Sequence, residues 1–470
     1  MIHLNKQVTT PIIPTVVEYY SVPGEAALDF KAICCFMATG FFLEAETFCT
    51  NKKAFLPAAS YSFNQDGNVE KKEFYFKWHH APRDIKFSQV IDDYAALLER
   101  TVKQGTENRQ VILPLSGGLD SRTLAAALGT RKNVFAYSYE FKNGIQENKY
   151  GRLIAQSSGY PFDGHTIQHG YLWESIEKTA RLNGCYADFT NPRQVAAMDS
   201  LKNKGDIFLL GHWGDVLFDD MGVAPSADFE TQLAVIKGKI LKRKGVELAE
   251  KLWQAWGLAD TFGNYLDEKL RKLLDAIDIR DANARIRAFK STYWATRWTS
   301  SNLTLFNASH DSFVPYFHDE MCRFICTVPE RYLAGRQIQI AYLKKKAPQL
   351  AAIPWQKYDP CNLFTYKEYT SLRYLPYRVM RKIKNEAMNL IGKKKILSNW
   401  ELQFLGSEND RNLRKWLFEN SSFSGLVPQS LTKSFYDKFR AESGEYHHTI
   451  NMLLTLSLFS KLRNDATPVS

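Results

Sequence analysis

The chain has 470 residues, of which 45% are hydrophobic and 24% charged, with a formal net charge of +11. That length can bury one large core or two to three modest ones, and the composition is that of an ordinary globular protein. No apolar run reaches membrane-spanning length, and Met1-Ile-His-Leu-Asn-Lys6 lacks the cationic-then-apolar pattern of a secretory signal, so a cytoplasmic location is expected.

Seven cysteines, odd in number and irregularly spaced, form no paired Cys-x-x-Cys knuckle. Cys322 and Cys326 lie one helical turn apart among apolar residues and read as buried thiols in a reducing compartment. The positive charge suits a nucleic-acid partner, or equally a cationic face for ATP and a phosphorylated or membrane-surface substrate.

Residues 1–80 are rich in aromatics, Thr, Val and Pro in short alternating runs, and predict a small β-rich region with Phe36–Leu43 as a strand segment and Asp66-Gly67 as a hairpin turn. From Asp84 to about residue 105 the apolar spacing predicts a helix. Val111–Leu115 is a strand-length apolar run, Ser116-Gly117-Gly118 a turn, and Asp120 onward an Ala- and Leu-rich helix. Asn133–Tyr139 is a second strand, Glu147–Ser158 a helix, His165–Ile167 a third strand and Asp206–Leu210 a fourth, ending at Gly211. Strands alternating with helices predict an α/β fold, a doubly wound parallel sheet with many added helices. Ligands of such sheets bind beyond the carboxyl ends of the strands, where both glycine-marked turns fall.

The first turn carries the most chemistry. Strand, glycine turn and helix point free backbone N–H groups at an anion, and the two glycines allow a phosphate to approach. Ser116 and Ser121 add hydroxyl donors. Asp120 would repel a bare phosphate and reads as a Mg²⁺ ligand instead. The loop lacks the lysine of the common P-loop.

Ser116-Gly-Gly-Leu-Asp-Ser121 resembles the pyrophosphate-binding loop of the N-type ATP pyrophosphatases, in the form used by asparagine synthetases and the related β-lactam synthetases. The resemblance implies cleavage of ATP between its α and β phosphates. It also implies an ATP site of Leu115, Ser116, Gly117, Gly118, Leu119, Asp120, Ser121, Ser138, Tyr139 and Gly211. Gly211-His-Trp-Gly-Asp-Val-Leu-Phe218 stands where that family has Ser-Gly-Glu-Gly-Ser-Asp-Glu-Val-Phe, which makes Asp215 the second Mg²⁺ ligand beside Asp120. Pro354-Trp-Gln-Lys-Tyr358 resembles the family's Arg-Gln-Lys segment, whose lysine reaches the α-phosphate, and assigns that role to Lys357.

The departures concern the second substrate. Ile2 replaces the nucleophilic cysteine of the family's glutaminase, and Cys34, the first cysteine, lies in a hydrophobic run, so no glutamine hydrolysis is expected. His212 replaces a glutamate near the substrate amine; it is either a catalytic base near neutral pH or a structural loop residue. Val216 replaces a glutamate that binds the amino group of aspartate, and Phe313 replaces an arginine in Asp311–Asp319, so free aspartate is not expected as substrate.

Leu248–Trp256 and Leu266–Asp275 are amphipathic helices of the core. The late basic residues Arg373, Arg378, Arg381, Lys382, Lys384 and Lys393–Lys395 form a solvated helix face or a segment lying on anionic lipid. Tyr446–Lys461 reads as a final apolar helix. The expected organisation is a reduced glutaminase-like region (1–80), an ATP-binding ligase domain (81–365) and a basic helical extension (366–470). The expected reaction joins a small-molecule, carrier-linked or lipid-linked carboxylate to ammonia or another amine, with ATP and Mg²⁺. A tRNA-modifying enzyme of the same loop class and an inactive scaffold in a biosynthetic complex are the alternatives. Nucleic acid is not the favoured partner, because no catalytic cysteine or zinc spacing of the RNA-thiolating enzymes is present. Oligomeric state is not legible, a homodimer being one option.

Overall fold

The computed structural model describes residues 7–191, 193–390 and 395–466. Ile2, Lys393 and Lys394, to which the sequence attaches expectations, lie outside them. The amino-terminal region holds a three-stranded antiparallel sheet, Gln7–Thr9, Ala59–Phe63 and Val69–Phe74, with its own small core of Ala59, Tyr61 and Phe63. Its hairpin turns at Asp66-Gly67, where Gly67 takes a φ of 77°.

The strand expected over Phe36–Leu43 is instead the end of a helix, α1 (Phe30–Thr39). Asp29 caps it by accepting from the Ala32 N–H at 3.1 Å, and Gly40, with a φ of 80°, ends it. Every residue from Ala32 to Thr39 is buried, so no polar face marks the helical period. The apolar side chains of α1 belong to one continuous core with the sheet below.

That sheet has five strands: β1 (Val111–Pro114), β2 (Val134–Phe141), β3 (Phe162–Ile167), β4 (Ile207–Leu209) and β5 (Asp311–Phe313). The order is β3-β2-β1-β4-β5, and every neighbouring pair is parallel. Val111, Ile112 and Leu113 are fully buried, as are Phe208 and Leu209, which explains unbroken apolar runs in place of alternation. The chain runs outward from β1 to β3, then returns to the other side of β1 for β4 and β5. The switch point therefore falls between β1 and β4, the place where a doubly wound sheet opens a crevice at its carboxyl end.

Helices α2 (Phe87–Thr106), α3 (Asp120–Leu128) and α4 (Glu147–Ser158) pack in sequence, with Gln337–Lys346 against α2 and α3. Tyr171–Asn183 packs on Val195–Leu201 and Ser300–Asn307 as a second group. Right-handed crossovers on either side of the switch point put the two groups on opposite faces. The carboxyl-terminal helix Ser443–Ala466 drives Ile450, Met452, Leu453, Leu454 and Leu456 into the core. Among the described residues no helix is long and apolar enough to cross a membrane.

Candidate functional site

The loop after β1 is fastened from within. Leu115 N–H donates to the Tyr137 carbonyl at 2.7 Å, extending the β1–β2 ladder by one step. Ser116 N–H donates to Ser121 Oγ at 3.1 Å, and Gly118 N–H to Ser116 Oγ at 3.3 Å. Gly117 N–H donates to a carboxylate oxygen of Glu147 at 3.1 Å. Glu147 is the first residue of α4, so this loop amide is directed at an anionic oxygen, the partner that a phosphate would have to displace.

The second motif closes onto the first. Gly214–Leu217 forms one short helical turn that presents Asp215 to solvent. A methyl group at Gly211 would stand 3.0 Å from Asp120 Cβ, and one at Gly214 would lie 2.8 Å from both Asp120 Cγ and Tyr316 Cε2. The two glycines are therefore spacers that let the turn after β4 press on the start of α3. The arrangement brings the Asp120 and Asp215 carboxylates close enough to interact electrostatically. Burial raises the Asp120 pKa, Arg336 counters it, and Asp215 adds to the rise.

Asp120 has partners that the sequence did not disclose. Its Oδ1 accepts from Arg336 Nη2, and from Gln339 Nε2 at 3.0 Å; Gln339 also donates to Tyr316 Oη at 2.9 Å. Arg336 sits in the left-handed region with φ 60°, directly after Gly335 at φ 68°, and opens the helix Gln337–Lys346. Burial would lower the Arg336 pKa, but Asp120, Tyr316 and Asp215 together more than offset it.

The third segment also arrives. The Gln356 side chain lies where a Gly117 side chain would be, with Oε1 2.7 Å from that position, and its Nε2 donates to Glu147. The fastening comes from α3 itself. Arg122, fully buried, donates to the carbonyls of Leu350 at 3.3 Å, Ile353 at 2.9 Å and Pro354 at 2.9 Å. One side chain of the loop helix thus sets the height of the segment that carries Lys357. Lys357 is exposed, its ammonium 5.3 Å from the Tyr358 ring centre.

Other expected residues are placed as follows. Ser138 is buried with its Oγ toward Gly151 of α4, and no hydrogen-bond partner among the described residues. Tyr139 accepts from Arg193 Nε at 3.1 Å. His212 lies 6.1 Å from the Phe306 ring centre, with an unpartnered, buried Nδ1. Burial and then Arg193 push its pKa down to about 4, against the pull of Asp215, so it is neutral at neutral pH and a weak base there. The departures find structural explanations. Val216 is buried, and its carbonyl accepts from Arg287 at 3.2 Å. Phe313 fills the space over Gly105 of α2. Asp311 pairs with Arg109 at 2.7 Å, and Asp319 accepts from the Ile12 N–H at 2.9 Å. Cys34 is fully buried, and burial pushes its thiol pKa up.

The donor set limits the metal. Among the described residues no group of three or more His, Cys, Asp and Glu could hold an ion. Asp120, with Oδ1 engaged by Arg336 and Gln339, and the exposed Asp215 make a two-carboxylate set. That fits Mg²⁺ bound jointly with phosphate oxygens, and not a metal held by protein alone.

No family model matches the chain, and no curated protein matches it. Among solved structures it is similar to the glutamine-dependent NAD⁺ synthetase from Acinetobacter baumannii in complex with adenosine diphosphate, at 19% identity and a TM-score of 0.20. The similarity covers 36% of this chain and about a third of the other, 32%. A likeness of that extent carries no argument about activity, which rests on the geometry above.

Proposed function

We propose that the chain is an ATP-dependent carbon–nitrogen ligase of asparagine-synthetase-like type, built on the N-type ATP pyrophosphatase form of the doubly wound sheet. It adenylates a carboxylate, releases pyrophosphate and passes the acyl group to ammonia or a substrate amine. The observation that carries this reading is the meeting of three distant segments, 116–121, 211–215 and 354–357, at the switch point of a parallel sheet. A lone glycine turn would be a tight connection and nothing more; the convergence of a glycine loop, the Asp120 and Asp215 carboxylates and a lysine-bearing segment is what a nucleotide site needs.

In this reading a carboxylate oxygen of the substrate attacks the α-phosphorus of ATP, and pyrophosphate leaves into the loop, taking the place of Glu147 at the Gly117 N–H and meeting the hydroxyls of Ser116 and Ser121. Asp120 and Asp215 would hold Mg²⁺, which would neutralise phosphate charge. Lys357 places an ammonium beside the transferring group, where negative charge grows. The amine then attacks the acyl carbon, AMP departs, and the amine gives up a proton. His212, half-buried and neutral, offers a hydrogen bond at this stage and not a strong base.

The amine donor is free ammonia or a second substrate, and the carboxylate is a small molecule or one tethered to a carrier or lipid. Chromatography of the nucleotide products tests the reading. AMP and pyrophosphate, formed only with a carboxylate and an amine present, are expected; ADP and phosphate would overturn it.

A further inference from the structure

Beside the second motif lies a lysine that neither the loop nor the motif uses. Lys290 is 8% exposed and opens a ten-residue π-helical segment, Lys290–Thr299. So long a departure from the α-helix is uncommon, and such departures gather at functional sites. Its ammonium lies 5.6 Å from the Trp213 ring centre and 5.1 Å from that of Trp294, two indoles set edge to face at 6.0 Å. It makes no hydrogen bond or ion pair with any described residue. Trp213 is fixed by its own Nε1–H, which donates to Ser291 Oγ at 3.1 Å.

The surroundings are also unsatisfied. The indole N–H groups of Trp294 and Trp298 are buried without partners among the described residues. A second ammonium, that of Lys242, stands 5.7 Å from the Trp294 ring centre and likewise has no hydrogen bond with any described residue. Burial lowers the Lys290 pKa to about 8, while Asp215 acts in the other direction from a distance. A desolvated ammonium without an anion is costly, and aromatic faces recover only part of that cost. Donors without acceptors, set beside indole faces, one of them on Trp213 next in the chain to the turn that carries Asp215, suit an anionic oxygen attached to an apolar body.

We infer that Lys290, with Trp213 and Trp294, forms the pocket that binds the carboxylate-bearing substrate through an anionic oxygen, making Lys290 a specificity-determining residue of the ligase. This rests on the reading that the loop site spends ATP on a carboxylate. The same ammonium could take a nucleotide phosphate instead, and the two sources separate experimentally.

The purified full chain is titrated with benzoate, followed by tryptophan fluorescence against a chloride control, and separately with ATP and Mg²⁺ by calorimetry. Lys290→Met is expected to weaken benzoate about tenfold or more, the worth of one charge-assisted hydrogen bond, and to leave ATP affinity unchanged. Lys290→Arg is expected to keep part of the benzoate affinity. Lys290→Met is also expected to melt no lower than wild type, because it removes an unpaired buried charge. Equal benzoate affinity in wild type and Lys290→Met, or no benzoate binding by wild type, overturns the pocket while normal ATP binding leaves the ligase reading standing. Weakened ATP with unchanged benzoate assigns the ammonium to a phosphate and overturns the carboxylate assignment. A Lys290→Met protein that melts several degrees lower makes Lys290 structural and does the same. Failure of the wild type to bind ATP strikes the ligase reading itself, and the benzoate titration then decides the pocket on its own.

Discussion

Gly214→Ala isolates the close approach of the two motifs. Gly214 opens a helical turn with an ordinary negative φ, so alanine suits the backbone and would by propensity gain up to about 1 kcal/mol. The added carbon, however, would overlap Asp120 Oδ1 and lie 2.8 Å from both Asp120 Cγ and Tyr316 Cε2. Carbon contacts settle at about 3.5–4.0 Å, so both neighbours must retreat by roughly 0.7–1.2 Å, in a region where Tyr316 is fully buried. Overpacking of this kind costs about 1–3 kcal/mol, which outweighs the propensity gain. Moving Asp120 by about 1 Å also breaks its registry with Arg336 and with Asp215, and a misplacement of that size lowers rates by about 10²-fold. Thermal melts together with pyrophosphate exchange test both numbers. A Gly214→Ala protein that melts at or above the wild-type temperature and exchanges at the wild-type rate would refute the claim that this glycine seats Asp120.

Three further outcomes follow from the same geometry. Arg122→Met should destabilise the fold by about 2–4 kcal/mol in urea titrations, since it strands three buried carbonyl contacts, and should lower exchange by loosening the Lys357 segment. Lys357→Ala should leave the melting temperature unchanged, because the side chain is exposed, and lower exchange by about 10²-fold or more; equal exchange would remove Lys357 from the site. His212 gives a stability change with a definite sign. Its folded pKa of about 4 lies below the unfolded value of about 6.5, so the unfolded chain takes up the proton first as pH falls, and stability drops through that window. Between about pH 7 and about pH 5 the loss is at most about 2 kcal/mol, and His212→Asn should lose less; identical pH dependence of the two unfolding curves would contradict the buried, neutral imidazole.

The parts of the fold visible in the sequence are those decided locally. The β1 strand, the Ser116–Ser121 turn and α3 form one contiguous stretch whose apolar run, glycines and helix formers each announce their role. The helix predicted over Glu147–Ser158 has the same bounds in the structure. What was hidden is long-range or lacks a pattern. Arg336 meets Asp120 across 216 residues, and nothing around Arg336 marks it except the adjacent Gly335. Arg122 reads as one more polar residue of a helix until the carbonyls it satisfies come from beyond residue 349. Strand β5 is three residues long, too short for any period, and Phe313 looked like a missing arginine until its ring was found over Gly105. Helix α1 failed for the opposite reason, because burial of every residue from Ala32 to Thr39 erased the polar face that would have distinguished helix from strand.

The central claim, that three segments assemble one site for attack on the α-phosphate of ATP, is tested most directly by carboxylate-dependent exchange of labelled pyrophosphate into ATP. The account predicts exchange with a subset of a carboxylic-acid panel, none without acid, and loss of exchange in Asp120→Ala and in Asp215→Ala. Exchange that survives Asp120→Ala, or that proceeds equally without any carboxylate, would contradict it.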